Sequence, residues 1–268
     1  MYDLTFLIPI RIETEDRLRN IISSVSYLLK HIPAKVIVKE VSNQPTFQTI
    51  VIPEIKKYAD TSNLEYLYEE SQEPLFCKSK VLNDLIITAD TKVVANYDAD
   101  CILPIDSYHQ AYGAINEDRM DVVYPYGCGI YQWKAAYSPE IYEKFVNTLD
   151  ISILDQNKSL SNSTIGWTQF VNRWKYIESY MMNENFISWG CEDDEFYYRM
   201  SVLGNRIGRI DNYVYHLEHS RTHNSWFSNP NFNNNYHLWN QIKTFDKNQL
   251  VRYYESLDYV KNRRSQIR

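Results

Sequence analysis

Lys92-Val93-Val94-Ala95-Asn96-Tyr97-Asp98-Ala99-Asp100 is the stretch on which the fold turns. Its first six residues suit a buried strand, and that strand runs directly into two carboxylates. Just upstream, residues 78–89 set Val81, Leu82, Leu85 and Ile86 on one helical face. Before them come a strand at 64–68, a helix at 48–58 and a β-branched, alternating strand at 35–41. A helix at 13–29 buries Leu18, Ile21, Ile22, Val25, Leu28 and Leu29, and a first strand occupies 4–10. This alternation predicts an α/β fold with a mostly parallel sheet flanked by helices. In such sheets ligands bind beyond the carboxyl ends of the strands, where Asp98 and Asp100 fall.

Downstream the pattern is less regular. Helices are expected at 108–116, 139–155 and 192–203, and strands at 121–125 and 209–217. Residues 156–164 and the Asn-rich 225–235 look irregular. An amphipathic tail follows from Tyr236 and ends in a basic run, Lys261-Asn262-Arg263-Arg264-Ser265-Gln266-Ile267-Arg268.

Composition excludes several classes. The 268 residues are 44% hydrophobic and 23% charged, as in ordinary globular domains. A formal charge of −6 argues against nucleic acid as a partner. No apolar run approaches the ~20 residues that span a bilayer. Met1-Tyr2-Asp3 puts no basic region before the first apolar run, so a strand is expected there and not a signal peptide. The four cysteines are widely spaced, which favours reduced thiols in a cytoplasmic protein. The seven glycines form no dinucleotide, P-loop or nucleophile-elbow signature.

Four clusters could carry chemistry. Asp98-Ala99-Asp100 could hold a divalent cation through hard oxygen ligands, or could be a solvated turn. Trp189-Gly190-Cys191-Glu192-Asp193-Asp194-Glu195 places a flat aromatic beside acids. Such a pairing suits a sugar, although an acidic helix N-terminus explains the carboxylates equally well. A base there, held against an apolar wall, would have a raised pKa. His216-Leu217-Glu218-His219-Ser220-Arg221 could bring two imidazoles to one metal if the chain turns, but not from a flat strand. Arg11, Arg17, Phe76, Lys78 and Lys80 could surround a nucleotide and its phosphates.

In this order, these pieces resemble the GT-A glycosyltransferases, and above all the C-terminal region of the β-1,4-galactosyltransferase family and bacterial family-2 capsule enzymes. Pro9-Ile10-Arg11 is similar to that family's Pro-Phe-Arg, and Phe76-Cys77-Lys78-Ser79-Lys80-Val81-Leu82-Asn83 to its Phe-Asn-Arg-Ala-Lys-Leu-Leu-Asn. Tyr97-Asp98-Ala99-Asp100 resembles its D-x-D step, and Trp189 to Glu195 its Trp-Gly-Gly-Glu-Asp-Asp-Asp. His216 to Arg221 resembles its closing metal segment. Cys191 stands for a glycine, Glu195 for an aspartate and Lys78 for an arginine, which removes a planar fork.

The resemblance implies a single GT-A domain over 1–268, a Rossmann-like nucleotide-diphospho-sugar transferase. Residues 1–101 would be its nucleotide-sugar half, 102–225 its acceptor half and 226–268 a C-terminal extension. It implies Mn²⁺ or Mg²⁺ on Asp100, His219 and His216. Pro9, Arg11, Phe76, Lys78 and Asp98 would hold a UDP-sugar. Gal or GalNAc is the favoured donor sugar, and Thr164 would leave room for an N-acetyl group, which favours GalNAc. Asp193 would be the catalytic base, with Asp194, Glu192 and Trp189 on the acceptor. The expected reaction is inverting transfer to a glycan or lipid-linked saccharide hydroxyl in bacterial surface polysaccharide synthesis. The enzyme would be cytoplasmic, with the basic tail as a candidate for peripheral contact with the membrane's inner face. Two other readings use the same residues: a metal-dependent phosphoester hydrolase or nucleotidyltransferase, and a non-catalytic carbohydrate-binding protein.

Overall fold

Every side chain of β1 (Leu4–Ile10) is buried, as in a strand covered on both faces. In the computed structural model, which describes residues 1–161 and 165–267, it leads into α1 (Glu15–His31) and β2 (Lys35–Ser42). A π-helical turn, Phe47–Val51, enters the short α2 (Ile52–Ile55), and β3 (Leu64–Glu70), α3 (Lys78–Thr88) and β4 (Val93–Tyr97) complete the alternating third. Then come β5 (Cys101–Ile102), α4 (Ile105–Asn116), β6 (Val122–Tyr124), β7 (Gln132–Ala135), α5 (Pro139–Thr148) and β8 (Lys158–Leu160). The later elements are β9 (Thr168–Asn172), α6 (Arg173–Glu178), α7 (Glu192–Val202), β10 (Ile207–Arg209), β11 (Val214–Leu217), α8 (Phe232–Ile242), α9 (Lys247–Ser256) and α10 (Asp258–Ser265).

The large sheet has the order β10-β6-β9-β4-β1-β2-β3. It is parallel except at β9, which is inserted antiparallel between β4 and β6. That insertion places the start of β9 at the carboxyl end of β4, with Tyr97 opposite Thr168. A second sheet, β5-β11-β7-β8, lies over the same end. Its register sets His216 opposite Cys101, one residue beyond Asp100.

Four expectations need correction. The helix expected over 139–155 ends at Thr148, because Leu149 takes a left-handed φ of 55° and Asp150 caps a new 3₁₀ turn, Ile151–Asn157. In the loop expected at 156–164, that 3₁₀ turn runs on to Asn157 and β8 follows at Lys158–Leu160. The single strand expected over 209–217 is two strands, β10 in the large sheet and β11 in the second. In the Asn-rich segment, α8 begins at Phe232. The strand β9 and the second sheet had no counterpart in the sequence reading.

The tail packs on the back of α7 through a smaller core that includes Tyr180, Phe186, Ile242, Leu250 and Tyr254. Here Arg199 is wholly buried. Its Nε donates to Glu195 Oε1 at 2.8 Å and its Nη2 to Met181 O at 2.6 Å, while Tyr254 donates its hydroxyl proton to the same glutamate. Removing one partner of such a pair leaves a buried charge uncompensated. Glu195→Leu is expected to destabilise the protein by about 3–5 kcal/mol, read as a lower urea midpoint at unchanged slope. A change below ~1 kcal/mol would mean that the carbonyls of Met181 and of Ser179, which accepts from Arg199 Nη1, suffice for Arg199. Part of the basic tail also turns inward: Arg263 pairs with Asp84 and with Glu184 at 2.9 Å, and Arg264 lies 4.6 Å from the Tyr180 ring.

Candidate active site

A cavity of about 230 Å³ opens at the carboxyl ends of β1 and β4. From the first third it gathers Pro9, Arg11, Phe76, Lys78, Asp98 and Asp100. From the later chain it gathers Trp189, Glu192, Asp193, His216 and His219. Of the residues singled out in the sequence, Lys80 and Asp194 are exposed and outside the cavity lining, and Thr164 lies outside the described residues.

β11 ends at Leu217, whose N–H donates to Asp100 O at 2.7 Å. The β7 pairing runs one residue further, with the Glu218 N–H on Ala135 O, and the chain turns only beyond it, so that two imidazoles three residues apart reach one carboxylate. His219 Nε2 lies 3.1 Å and His216 Nε2 3.7 Å from Asp100 Oδ2. One ligand atom from each residue lies within 4.8 Å of the others. Burial alone would raise the Asp100 carboxyl, but the two imidazoles bring it well below the usual carboxylate range. Two nitrogens and an ionised oxygen make a fitting donor set for Mn²⁺, with positions left for phosphate oxygens. Asp98 is engaged elsewhere, with Oδ1 at 2.7 Å from Lys78 Nζ.

Asp193 sits in the first turn of α7, behind a backbone of unusual shape. Gly190 has φ +126° and Cys191 has φ 69°, so the non-glycine residue does take a conformation that favours glycine. The Asp193 carboxylate rests against Gly166: a Cβ there would fall 2.2 Å from Asp193 Oδ2. Gln169 Nε2 donates to Asp193 Oδ1 at 3.2 Å, and Lys78 Nζ stands 4.0 Å from Oδ2. Burial pushes Asp193 up to about 6, with Lys78 opposing and Asp98 assisting. Glu192 is pushed up to about 7 by burial and by Asp193, and it accepts the Gly190 N–H at 2.8 Å. For Lys78, burial is outweighed by the Asp193 and Asp98 carboxylates, which hold the ammonium protonated. A protonatable carboxylate near neutrality therefore shares one cavity with a cation-ligand cluster.

The walls come from several loops. Arg11 donates to Val41 O and Glu73 O, each at 2.8 Å, and its guanidinium lies 5.5 Å from the Phe76 ring. The Trp189 ring packs with Trp226, Phe227 and Phe232. The segment after His219 is tied down by Asp16, which accepts the Ser220 N–H at 2.5 Å, and by Glu13, which accepts from Thr222 and Asn224. Trp167 stacks on His216 at 5.3 Å, and its carbonyl accepts the Asp98 N–H at 3.0 Å. Gln169 and Asn224 escaped sequence reasoning altogether; a polar residue within an apolar strand, as Gln169 is, was the only available sign.

Comparison with known proteins adds the fold's relatives. A family model described as the N-terminal domain of galactosyltransferase matches residues 168–220, a span holding Asp193, His216 and His219. No curated protein matches significantly. Among solved structures, GalNAc-T7 with UDP, GalNAc and Mn²⁺ is 15% identical, with TM-score 0.56 over 85% of this chain and 44% of that one. TarS 1–349 of S. aureus in complex with UDP-GlcNAc is 15% identical, with TM-score 0.58 over 98% of this chain and 72% of that one. The mannosyltransferase PcManGT from Pyrobaculum calidifontis, in complex with GDP-Man and Mn²⁺, is 12% identical, with TM-score 0.51 over 81% and 56%. This chain thus spans less than half of the first of these proteins and just over half of the last. At such identities the likeness is one of architecture, and by that likeness the chain has the GT-A fold.

Proposed function

We propose that the chain is a metal-dependent, inverting glycosyltransferase that moves a hexose or N-acetylhexosamine, with Gal or GalNAc favoured, from a UDP-sugar to a glycan hydroxyl. The observation that carries this reading is the shared cavity: Asp193, near neutrality in its titration, faces the same space as the Asp100–His216–His219 cluster. The relatives named above are structures with UDP, UDP-GlcNAc or GDP-Man, two of them with Mn²⁺, which supports the donor class and the cation.

Asp193 takes the proton of the acceptor hydroxyl as its oxygen bonds to the anomeric carbon. The bond from that carbon to the diphosphate oxygen breaks on the opposite face, and its electron pair leaves with UDP. Asp100, His216 and His219 would hold a divalent cation, which when bound would supply Lewis-acid stabilisation of the leaving diphosphate. Arg11 and Phe76 bind the nucleotide, and Lys78 fixes Asp98 beside the donor. Trp189 covers the apolar face of the acceptor sugar, with Glu192 on its hydroxyls, and Asp194, outside the cavity, meets only a part of the acceptor that extends beyond it. In this reading residues 1–101 bind the donor, 102–225 the acceptor, and 226–268 brace α7. A role in bacterial surface polysaccharide synthesis, with a lipid-linked acceptor at the inner face of the membrane, fits this chemistry. Among the described residues no helix is long and apolar enough to cross a membrane.

A thermal-shift screen tests the reading. UDP with Mn²⁺ at about 100 times Kd should stabilise by about 2.7 kcal/mol, a rise of roughly 5–10 °C, and much less without the cation. Equal stabilisation by a free glycan, with no effect of UDP or Mn²⁺, would replace it with a carbohydrate-binding protein. Release of phosphate from nucleotide without a sugar acceptor would replace it with a hydrolase.

The titration of Asp193 sets a pH dependence. As base it must be ionised, so kcat/KM should fall about tenfold per pH unit below about 6. Glu192, pushed up to about 7 by burial and by the Asp193 carboxylate, shares that limb. A profile flat down to pH 4.5 would exclude a carboxylate base at this position.

A further inference from the structure

The two ring nitrogens of His216 have different neighbours. Nε2 lies 3.7 Å from Asp100 Oδ2, the oxygen that His219 Nε2 also approaches at 3.1 Å. Nδ1 lies 3.4 Å from Glu218 Oε1. Both of these last atoms are buried, and neither makes a hydrogen bond among the described residues. They face one another because positions 216 and 218 are two apart on an extended chain, where alternate side chains share a face. The Glu218 N–H donates to Ala135 O at 2.9 Å, which carries the β7 pairing one step past Leu217 and holds Glu218 on that face. From another side the Trp167 ring stacks on the imidazole at 5.3 Å and 28°.

An imidazole that ligates a cation through one nitrogen carries its proton on the other, and the partner of that proton decides which nitrogen is free. We propose that Glu218 is a positioning residue, which accepts the Nδ1–H of His216 and so holds the ring in the tautomer and plane that present Nε2 to a divalent cation shared with Asp100 and His219. The proposal rests on the cation site of the preceding section. Glu218 is not itself a ligand in it: its oxygen faces Nδ1, and the ligand-atom cluster consists of Asp100, His216 and His219.

The test is Mn²⁺ affinity of the full chain with UDP present, measured by electron paramagnetic resonance of the free ion. Glu218→Leu should weaken binding by about 10–100-fold, the usual effect of losing such an outer partner. Glu218→Gln keeps an acceptor oxygen and should stay within about threefold of wild type. In a His216→Ala background Glu218→Leu should change nothing further, because the effect passes through that ring. The urea midpoint of Glu218→Leu in chelator should match wild type, which separates orientation from folding. Where His216→Ala binds too weakly to measure, ¹⁵N spectra of the Mg²⁺-loaded protein read the tautomer directly, with Nδ1–H in wild type and a mixture in Glu218→Leu.

Wild-type affinity in Glu218→Leu, equal loss in Glu218→Gln, further loss in the His216→Ala background, or an unchanged tautomer would each overturn the proposal. A wild-type protein that binds no Mn²⁺ in the presence of UDP would overturn the cation site itself, a distinct result.

Discussion

Replacing Asp193 by Asn should lower sugar transfer by about 10²–10⁴-fold, the span that a general base contributes, and leave UDP–Mn²⁺ affinity within about twofold. The geometry makes this a clean substitution. Gln169 donates to Oδ1, which an asparagine retains, and Gly166 leaves room for the other atom of the amide. Lys78 keeps its 2.7 Å contact with Asp98. What is lost is the capacity to take a proton and the negative charge that faces Lys78.

Stability should move the other way from activity. Burial holds the Asp193 carboxyl at about 6, above its usual value of 3.8. For a group raised in the folded state, the favourable contribution is complete below the unfolded pKa and is lost as pH rises through the folded one. Between pH 4 and 6 the ionised form therefore becomes a growing burden on the fold, and asparagine removes it. The variant should melt higher than wild type at pH 7 and no higher at pH 4. A functional residue kept at the expense of stability would explain both results. Near-normal transfer by Asp193→Asn, with unchanged melting, would show that another group takes the proton.

Much of the site was legible because its residues lie in short contiguous runs at strand and helix ends. Asp98 and Asp100 follow β4 directly, and Asp193 lies in the first turn of α7. Periodicity exposed β1 to β4 and their helices for the same reason, since each buries a regular face. What escaped depends on contacts between segments far apart in the chain. The brief β9 owes its place to β4 and β6 on either side, and without it Gln169 has no path to Asp193. The second sheet is built of strands two to four residues long, below the length at which alternation is readable. Leu149 ends α5 in a left-handed conformation without the glycine that would announce it. The Asn-rich segment looked like a solvated loop, yet Asn235 is fully buried and donates to Ile187 O at 3.0 Å and Trp189 O at 3.3 Å. Polar composition concealed a structural role, because an asparagine satisfied by buried carbonyls cannot be told by type from one in water.

Asp100→Asn should have the second large effect, by a different route. Asp100 supplies the only carboxylate of the ligand cluster, and both imidazoles approach the same oxygen. An amide oxygen keeps the shape but not the charge that a hard cation requires. Loss of an outer partner already costs about 10–100-fold in metal affinity, so loss of this inner one should exceed about 100-fold. Transfer should fall by about 10³-fold at ordinary Mn²⁺ concentrations, equivalent to about 4 kcal/mol of transition-state stabilisation. The two substitutions then separate on titration with metal. Excess Mn²⁺ should restore part of the activity of Asp100→Asn, because only affinity has been lost, and none of that of Asp193→Asn, because the cation cannot accept the acceptor's proton. If both respond alike to Mn²⁺, the carboxylates do not divide the work between leaving group and acceptor, and the assignment of Asp100 to the diphosphate side fails.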